Sequence, residues 1–253
     1  MPPRQCMFCS APASSKEDVL PRWLVELIPT PHGVHVEAER GRHFTKRWKA
    51  AKHELTVRHV CKDCSNGWMS RLEGRTKPII RGLFDDTLAE LTPDVRQTLG
   101  QWSVKTTMVL EALRSGANWF YRPDERMQMR ADLSVPLRTR AWLAKCINLP
   151  GTYCASSDLA ATPDHDPQEA TGYVTTIAFR GLVLQVVTGR APSHVPPTTV
   201  VTTEVLPGPW DHTTVSLWPP SGVSKPWPPR LGLDGEAGLG ALIDRWKLSR
   251  SSE

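Results

Sequence analysis

The chain has 253 residues, 40% of them hydrophobic and 23% charged, and a formal net charge of +5. These values place it among ordinary soluble globular proteins, with room for one large or two small domains. No apolar run approaches the ~18–20 residues of a membrane span, and the opening Met1-Pro2-Pro3-Arg4-Gln5 has no apolar core of a secretory signal, so a cytoplasmic protein is expected. The charge is uneven. Residues 1–80 carry 14 Lys and Arg against 8 Asp and Glu, a net of +6, whereas residues 81–253 carry 17 against 18, a net of −1.

In chain order, the first feature is Cys6-x-x-Cys9, answered by Cys61-x-x-Cys64 after 51 intervening residues. Two such knuckles side by side present four thiolates, the usual tetrahedral set for structural zinc. A redox dithiol needs only one pair, opening a helix after a strand; the reducing cytoplasm favours metal over disulfides. Cys146 and Cys154 have no partner motif and read as core residues. Residues 16–28 read as a turn and short helix, with Val19, Trp23, Leu24 and Leu27 at helical spacing. Pro21 suits the first turn, and Pro29, Pro31 and Gly33 end the pattern. Val34–Val36 and Glu54–Val60 alternate as strands, the second leading into Cys61. A helix is expected to open near Ser65, with Trp68, Met69 and Leu72 on its apolar face and the Cys64 thiolate favoured by the helix dipole.

Between the knuckles lie Arg40, Arg42, Lys46, Arg47, Lys49, Lys52 and Arg58, with Glu54 as the single acidic residue in the stretch 40–58. Such a cluster suits a phosphate backbone, whose affinity is mainly electrostatic. Phe44 and Trp48 are available for base stacking or for packing.

Residues 76–131 read as helical. Thr92-Pro93-Asp94 caps a helix whose apolar positions run from Val95 through Leu113, with Gly116 as its C-cap, and 123–131 gives another short helix. Residues 140–147 fit a strand or a helix. Tyr173–Phe179 and Leu182–Thr188 flank Arg180-Gly181, a hairpin signal. Val200–Val205 and Thr213–Trp218 are further strands; 155–171 and 190–198 read as loops. Trp218–Pro229 is rich in proline and suits an extended polyproline segment. A closing helix over 236–248 carries Leu239, Leu242, Ile243 and Trp246 on one face. His165 lies between two aspartates in a polar loop, and His53 is a further imidazole near the basic run.

The residues around the knuckles resemble the zinc-containing branch of the HNH (ββα-metal) endonucleases. Glu17-Asp18-Val19-Leu20-Pro21 stands where that family has E-H-x-x-P, and Cys64-Ser65-Asn66-Gly67-Trp68 stands where it has C-N-N-G-W. The resemblance covers about residues 4–75. It implies an N-terminal treble-clef, ββα-metal zinc module (1–80); with the patterns read above, the expected fold is α+β, the module followed by a helical segment (81–134) and a mostly antiparallel β region with a closing helix (135–253). It implies a zinc held by Cys6, Cys9, Cys61 and Cys64, and a nuclease centre among Glu17, Asp18, Ser65 and Asn66, with Mg or Mn as the catalytic ion. His59, two residues before Cys61, is the nearest substitute imidazole. The chain departs from the pattern twice. Asp18 stands where the family has its general-base His, and a carboxylate near pKa ~4 is a far weaker base at neutral pH than an imidazole near ~6.5; a metal-ligand role suits it better. Ser65 stands where the family has Asn or His, and Asn66, one residue on, is turned by about 100°. Two expectations follow: a metal-dependent DNA endonuclease or a derivative of one, and an inactive scaffold, phage-borne or regulatory, that binds nucleic acid or docks a protein partner through its C-terminal region.

Overall fold

The computed structural model describes residues 4–28, 34–40, 44–50, 55–114, 119–159, 172–190 and 209–246. The elements follow in chain order. The N-terminal part holds β1 (Ser15–Asp18), α1 (Arg22–Leu27), β2 (Val34–Arg40), β3 (Phe44–Ala50) and β4 (Thr56–Val60). Next come α2 (Lys62–Cys64), a π turn (Ser65–Met69) and α3 (Ser70–Phe84), then β5 (Glu90–Leu91), α4 (Pro93–Glu111) and α5 (Pro123–Asp132). The remainder is β6 (Thr139–Ile147), β7 (Thr152–Leu159), β8 (Gly172–Phe179), β9 (Leu182–Gly189), a 3-10 turn (Pro209–His212), β10 (Thr214–Trp218), β11 (Lys225–Pro226), β12 (Leu233–Asp234) and α6 (Gly235–Asp244). The α+β class holds. Among the described residues no helix is long and apolar enough to cross a membrane.

The main sheet runs β10-β6-β9-β8-β7-β2-β3, with β12 added beside β6. Its pairings are antiparallel except β2–β7 and β12–β6. The segment between the two knuckles thus supplies a hairpin, β2–β3, that docks in parallel on β7, Val34 opposite Thr152 through Glu39 opposite Ser157. Residues expected within the 1–80 unit therefore complete the sheet of the C-terminal region. A separate pair, β1–β4, runs antiparallel with Glu17 opposite Val57 and Asp18 opposite Thr56.

Helix α4 packs across one face of the sheet. The Thr92 hydroxyl accepts the N–H of Val95, as the Thr-Pro-Asp start predicts. From Leu99 to Glu111 every residue is buried, because α3 covers one side and the sheet the other. Trp102 and Met108 are core, as expected. The helix stops at Glu111 instead of reaching Leu113, since the Ala112 N–H turns back to Val109 and Leu110; Gly116 lies outside the described residues. One apolar core joins Cys6 and Phe8, the α3 residues Leu72, Ile80 and Leu83, α4, and sheet residues such as Ile177 and Leu184. Each such side chain contributes roughly 1.5–3 kcal/mol by leaving water. On the other face α6 buries Leu239 and Leu242 against Ala144, Cys146, Ala178 and Val183.

The hairpin at Arg180-Gly181 forms as expected, with φ of 44° and 79°. A Cβ on Gly181 would sit 2.9 Å from the Cys146 carbonyl, so glycine is required there. Four expectations are corrected. Glu17-Asp18 lie on a strand and not in a turn, because they pair with β4. Residues 155–159, read as loop, continue β7, since β2 and β8 satisfy their backbone from both sides. The helix after the second knuckle begins at Lys62, not Ser65. The proline-rich tract includes the short strand β11, paired with β5, and is clamped by buried Arg96, whose guanidinium donates to the Ser216, Ser221 and Val223 carbonyls. Residues 200–205, His53 and His165 lie outside the described residues.

Candidate metal centre and its surroundings

The first knuckle is a tight turn: Cys6 N–H donates to the Ala11 carbonyl, Ser10 N–H to the Cys6 carbonyl, and Ser10 takes a φ of 60°. It is tied to β4 by the Met7 N–H bond to His59 O. The second knuckle is a helix start. Cys61 occupies the N-cap position, its sulfur accepting the Cys64 N–H at 3.4 Å. Phe8 of the first knuckle packs edge-on against Trp68 of the π turn, ring centroids 5.1 Å apart, which locks the two together.

The result brings the ligand atoms of Cys6, Cys9, Cys61 and Cys64 within 4.8 Å of one another. Cys9 Sγ and Cys61 Sγ are 3.5 Å apart, far beyond the ~2.05 Å of a disulfide. They are close to the ~3.8 Å edge of a tetrahedron with ~2.3 Å metal–sulfur bonds. The four cysteines can hold a metal ion such as zinc. Burial raises the Cys6 and Cys64 thiols above their ordinary value, and the charge of Cys6 raises Cys64 further. Cys61 is held low although burial opposes it, because the Cys64 N–H and the neighbouring sulfurs favour its thiolate. A cation is the group that lets all four ionise together.

Of the nuclease candidates, Glu17 and Ser65 come near each other, close enough for the Ser65 side chain to act on the Glu17 carboxyl. Burial raises Glu17 above the ordinary carboxyl value, with the Ser65 side chain and Lys105 pulling the other way. Asp18 is tied to Arg22 at 3.4 Å. Asn66 is exposed. His59 is turned to another neighbourhood, edge-on to Trp119 at 5.0 Å, with burial and then Arg4 and Arg126 holding its pKa below the usual imidazole value.

Among the described residues, the basic positions between the knuckles stand on the β2–β3 hairpin and on β4. Arg40 stands on β2, Lys46, Arg47 and Lys49 on β3 and Arg58 on β4; Arg42 and Lys52 lie outside the described residues. The Arg47 guanidinium makes two bonds to Glu37 across the hairpin, at 2.9 and 3.1 Å. Trp48 packs against the core. Lys49 and Arg58 are exposed.

Two sets went unread. Helix α3 carries Arg71, Arg75, Lys77 and Arg81 within about 160° of its circumference. The arginines are exposed, Lys77 partly so, and none has an ion pair among the described residues. Their i,i+4 spacing is visible in the sequence and marks them out. The second set is buried: Glu73 with Lys105, and Glu111 with Arg126. Comparison of the chain with protein-family models, with curated proteins and with solved structures finds no match.

Proposed function

We propose that this chain is an HNH-derived, zinc-bound protein of the treble-clef type that acts on nucleic acid, DNA foremost, by holding its backbone along α3. The observation that carries the reading is the cationic side of α3: Arg71, Arg75, Lys77 and Arg81 begin about two turns beyond Cys64, with Arg58 and Lys62 exposed at its approach. Arginines free of acidic partners are suited to phosphate. Lys49 and the other cations of 40–58 extend the surface, though Arg47 is partly neutralised by Glu37. The free cysteines accord with a cytoplasmic setting. The test is fluorescence anisotropy with a labelled 20-base-pair duplex between 50 and 200 mM salt. The triple variant Arg71→Glu, Arg75→Glu, Arg81→Glu should bind at least tenfold more weakly, with a log–log salt slope shallower by about 3. Absence of parent binding at 50 mM salt, or an unchanged slope in the variant, refutes the reading.

The nearness of Glu17 to Ser65 favours a second reading, an endonuclease dependent on Mg or Mn, because it brings the family's acidic position to the residue after the last knuckle cysteine. Plasmid nicking lost in Asp18→Ala supports it. Cleavage gained only in Asp18→His with Ser65→Asn marks a lapsed nuclease.

A further inference from the structure

Helix α6 is weak by its own sequence. It has 10 residues, among them Gly235, Gly238 and Gly240, and Asp234 at its N-cap makes no side-chain capping bond. Isolated helices shorter than about 12–15 residues are marginal in water, and each glycine weakens them further. Its buried side chains are Leu239 and Leu242 alone. A Cβ on Gly238 would meet Leu233 at 3.2 Å, so glycine there lets the helix lie close on β12. At Gly240 a Cβ would meet nothing within 4 Å, so that glycine weakens the helix and serves no packing.

The two ends of α6 are held differently. At the front, β12 runs parallel to β6 with Leu233 opposite Cys146, the Asn148 amide donates to Asp234 at 2.9 Å, and the Tyr153 hydroxyl donates to Glu236 at 2.5 Å. At the back, the Arg245 guanidinium lies among three indole rings, 4.7 Å from the centre of Trp142 on β6, 4.9 Å from Trp246 and 5.5 Å from Trp210 in the 3-10 turn. Arg245 Nε and Trp246 Nε1 both donate to the side-chain oxygen of Gln185 at 2.8 Å. Gln185 is itself buried and fixed, its amide nitrogen donating to the Thr176 hydroxyl and the Leu242 carbonyl. Arg245 Nη2 is buried yet has no hydrogen-bond partner among the described residues. Burial pulls the guanidinium pKa down to about 10, with Asp211 opposing. A buried donor left unmet regains its bonds in water, so this end is well defined in geometry and weakly held in energy.

We propose that α6 is a strap hinged at β12 and latched by Arg245: it opens from its C-terminal end as a local unit, ahead of the rest of the chain, and uncovers the small apolar face of Ala144, Cys146, Ala178 and Val183. That face and α6 form a cluster separate from the main core, so opening leaves α4 and the opposite side of the sheet intact. The strap is independent of the nucleic-acid reading, whose arginines stand on α3.

The test is native-state hydrogen exchange of the zinc-loaded full-length protein, read by peptide mass in urea up to about 2 M, with maleimide labelling of Cys146 followed in the same samples. In the parent, α6 amides should exchange roughly 100-fold faster than those of α4 with little dependence on urea, and Cys146 should label while Cys154, buried on the other side of the sheet, does not. Arg245→Ala removes the latch without lowering helix propensity, and should speed both α6 exchange and Cys146 labelling roughly tenfold. Gly240→Ala strengthens the helix without touching the latch, and should slow both about two- to fivefold. Exchange of α6 in the parent at the rate and urea dependence of α4 overturns the proposal, and so does either folded variant with both rates unchanged. Where Arg245→Ala does not fold, the parent and Gly240→Ala decide the matter by the same criteria.

Discussion

The cysteine cluster and the Glu111–Arg126 pair both bury groups that water would otherwise stabilise, and they are compensated from opposite directions. The cysteines bring up to four like charges together when ionised, and a cation that compensates them comes from outside the chain. Glu111 is fully buried and brings its partner with it. Its carboxylate meets Arg126 Nη2 at 2.6 Å and accepts the N–H groups of Phe120 and Tyr121. Arg126 also donates to the Tyr121 and Met108 carbonyls and lies over the Trp119 ring. One site is thus conditional on its surroundings, and the other is settled within the chain.

The largest effect should come from breaking the external half of this comparison. Structural zinc in knuckle peptides is worth on the order of 10 kcal/mol or more at neutral pH, comparable with the whole stability of a domain. Purified protein should contain about one zinc per chain by elemental analysis, and Cys61→Ser or prolonged chelation should abolish the near-ultraviolet circular dichroism. A metal-free, fully folded protein would refute this.

The internal half should break by a smaller amount. Glu111→Ala leaves Arg126 buried and uncompensated, with an expected cost of about 3–5 kcal/mol, read from urea denaturation without loss of bound zinc. Loss of zinc together with stability would mean that the two compensations are one.

Neither buried pair could be found from the sequence, and the reason is physical. A charged residue in a helix reads as surface, and only a partner distant in the chain changes that: 32 positions separate Lys105 from Glu73 and 15 separate Arg126 from Glu111. What could be read was local. The knuckle spacing, the Thr92 cap and the Arg180-Gly181 turn each fix their geometry within a few residues. Strand β3 was missed because its cations hide the alternation, and its pairing with β2, whose own support comes from β7, is what makes it a strand. Among the nuclease candidates, Glu17 and Asp18 are neighbours in sequence, and on a strand they point to opposite faces, Glu17 to the side of Ser65 and Asp18 to Arg22.

The subtlest test of the comparison is pH. Burial pushes the Glu111 carboxyl up to about 7, against 4.5 ordinarily, with Arg126 and the Phe120 N–H opposing. The folded chain therefore holds this proton more tightly than the unfolded one. The contribution is full below pH 4.5 and is lost as pH rises through 7, by at most about 3 kcal/mol at about 1.36 kcal/mol per pH unit. Stability measured between pH 5 and 8 should fall with a slope that Glu111→Gln flattens. An equal slope in the variant would assign it to other groups.

The parallel docking of β2 on β7 sets an order of events during synthesis. Thr152, the first β7 partner, follows Ala50 by 102 positions, which at about 5–20 residues per second is a wait of roughly 5–20 s. For all but the first 14 residues of that interval both knuckles are already made and able to take metal, while the hairpin strung between them has no sheet to join. A fragment ending at Phe84 would remain permanently in that condition, with the side of β2 that β7 covers left as a bare edge open to other strands.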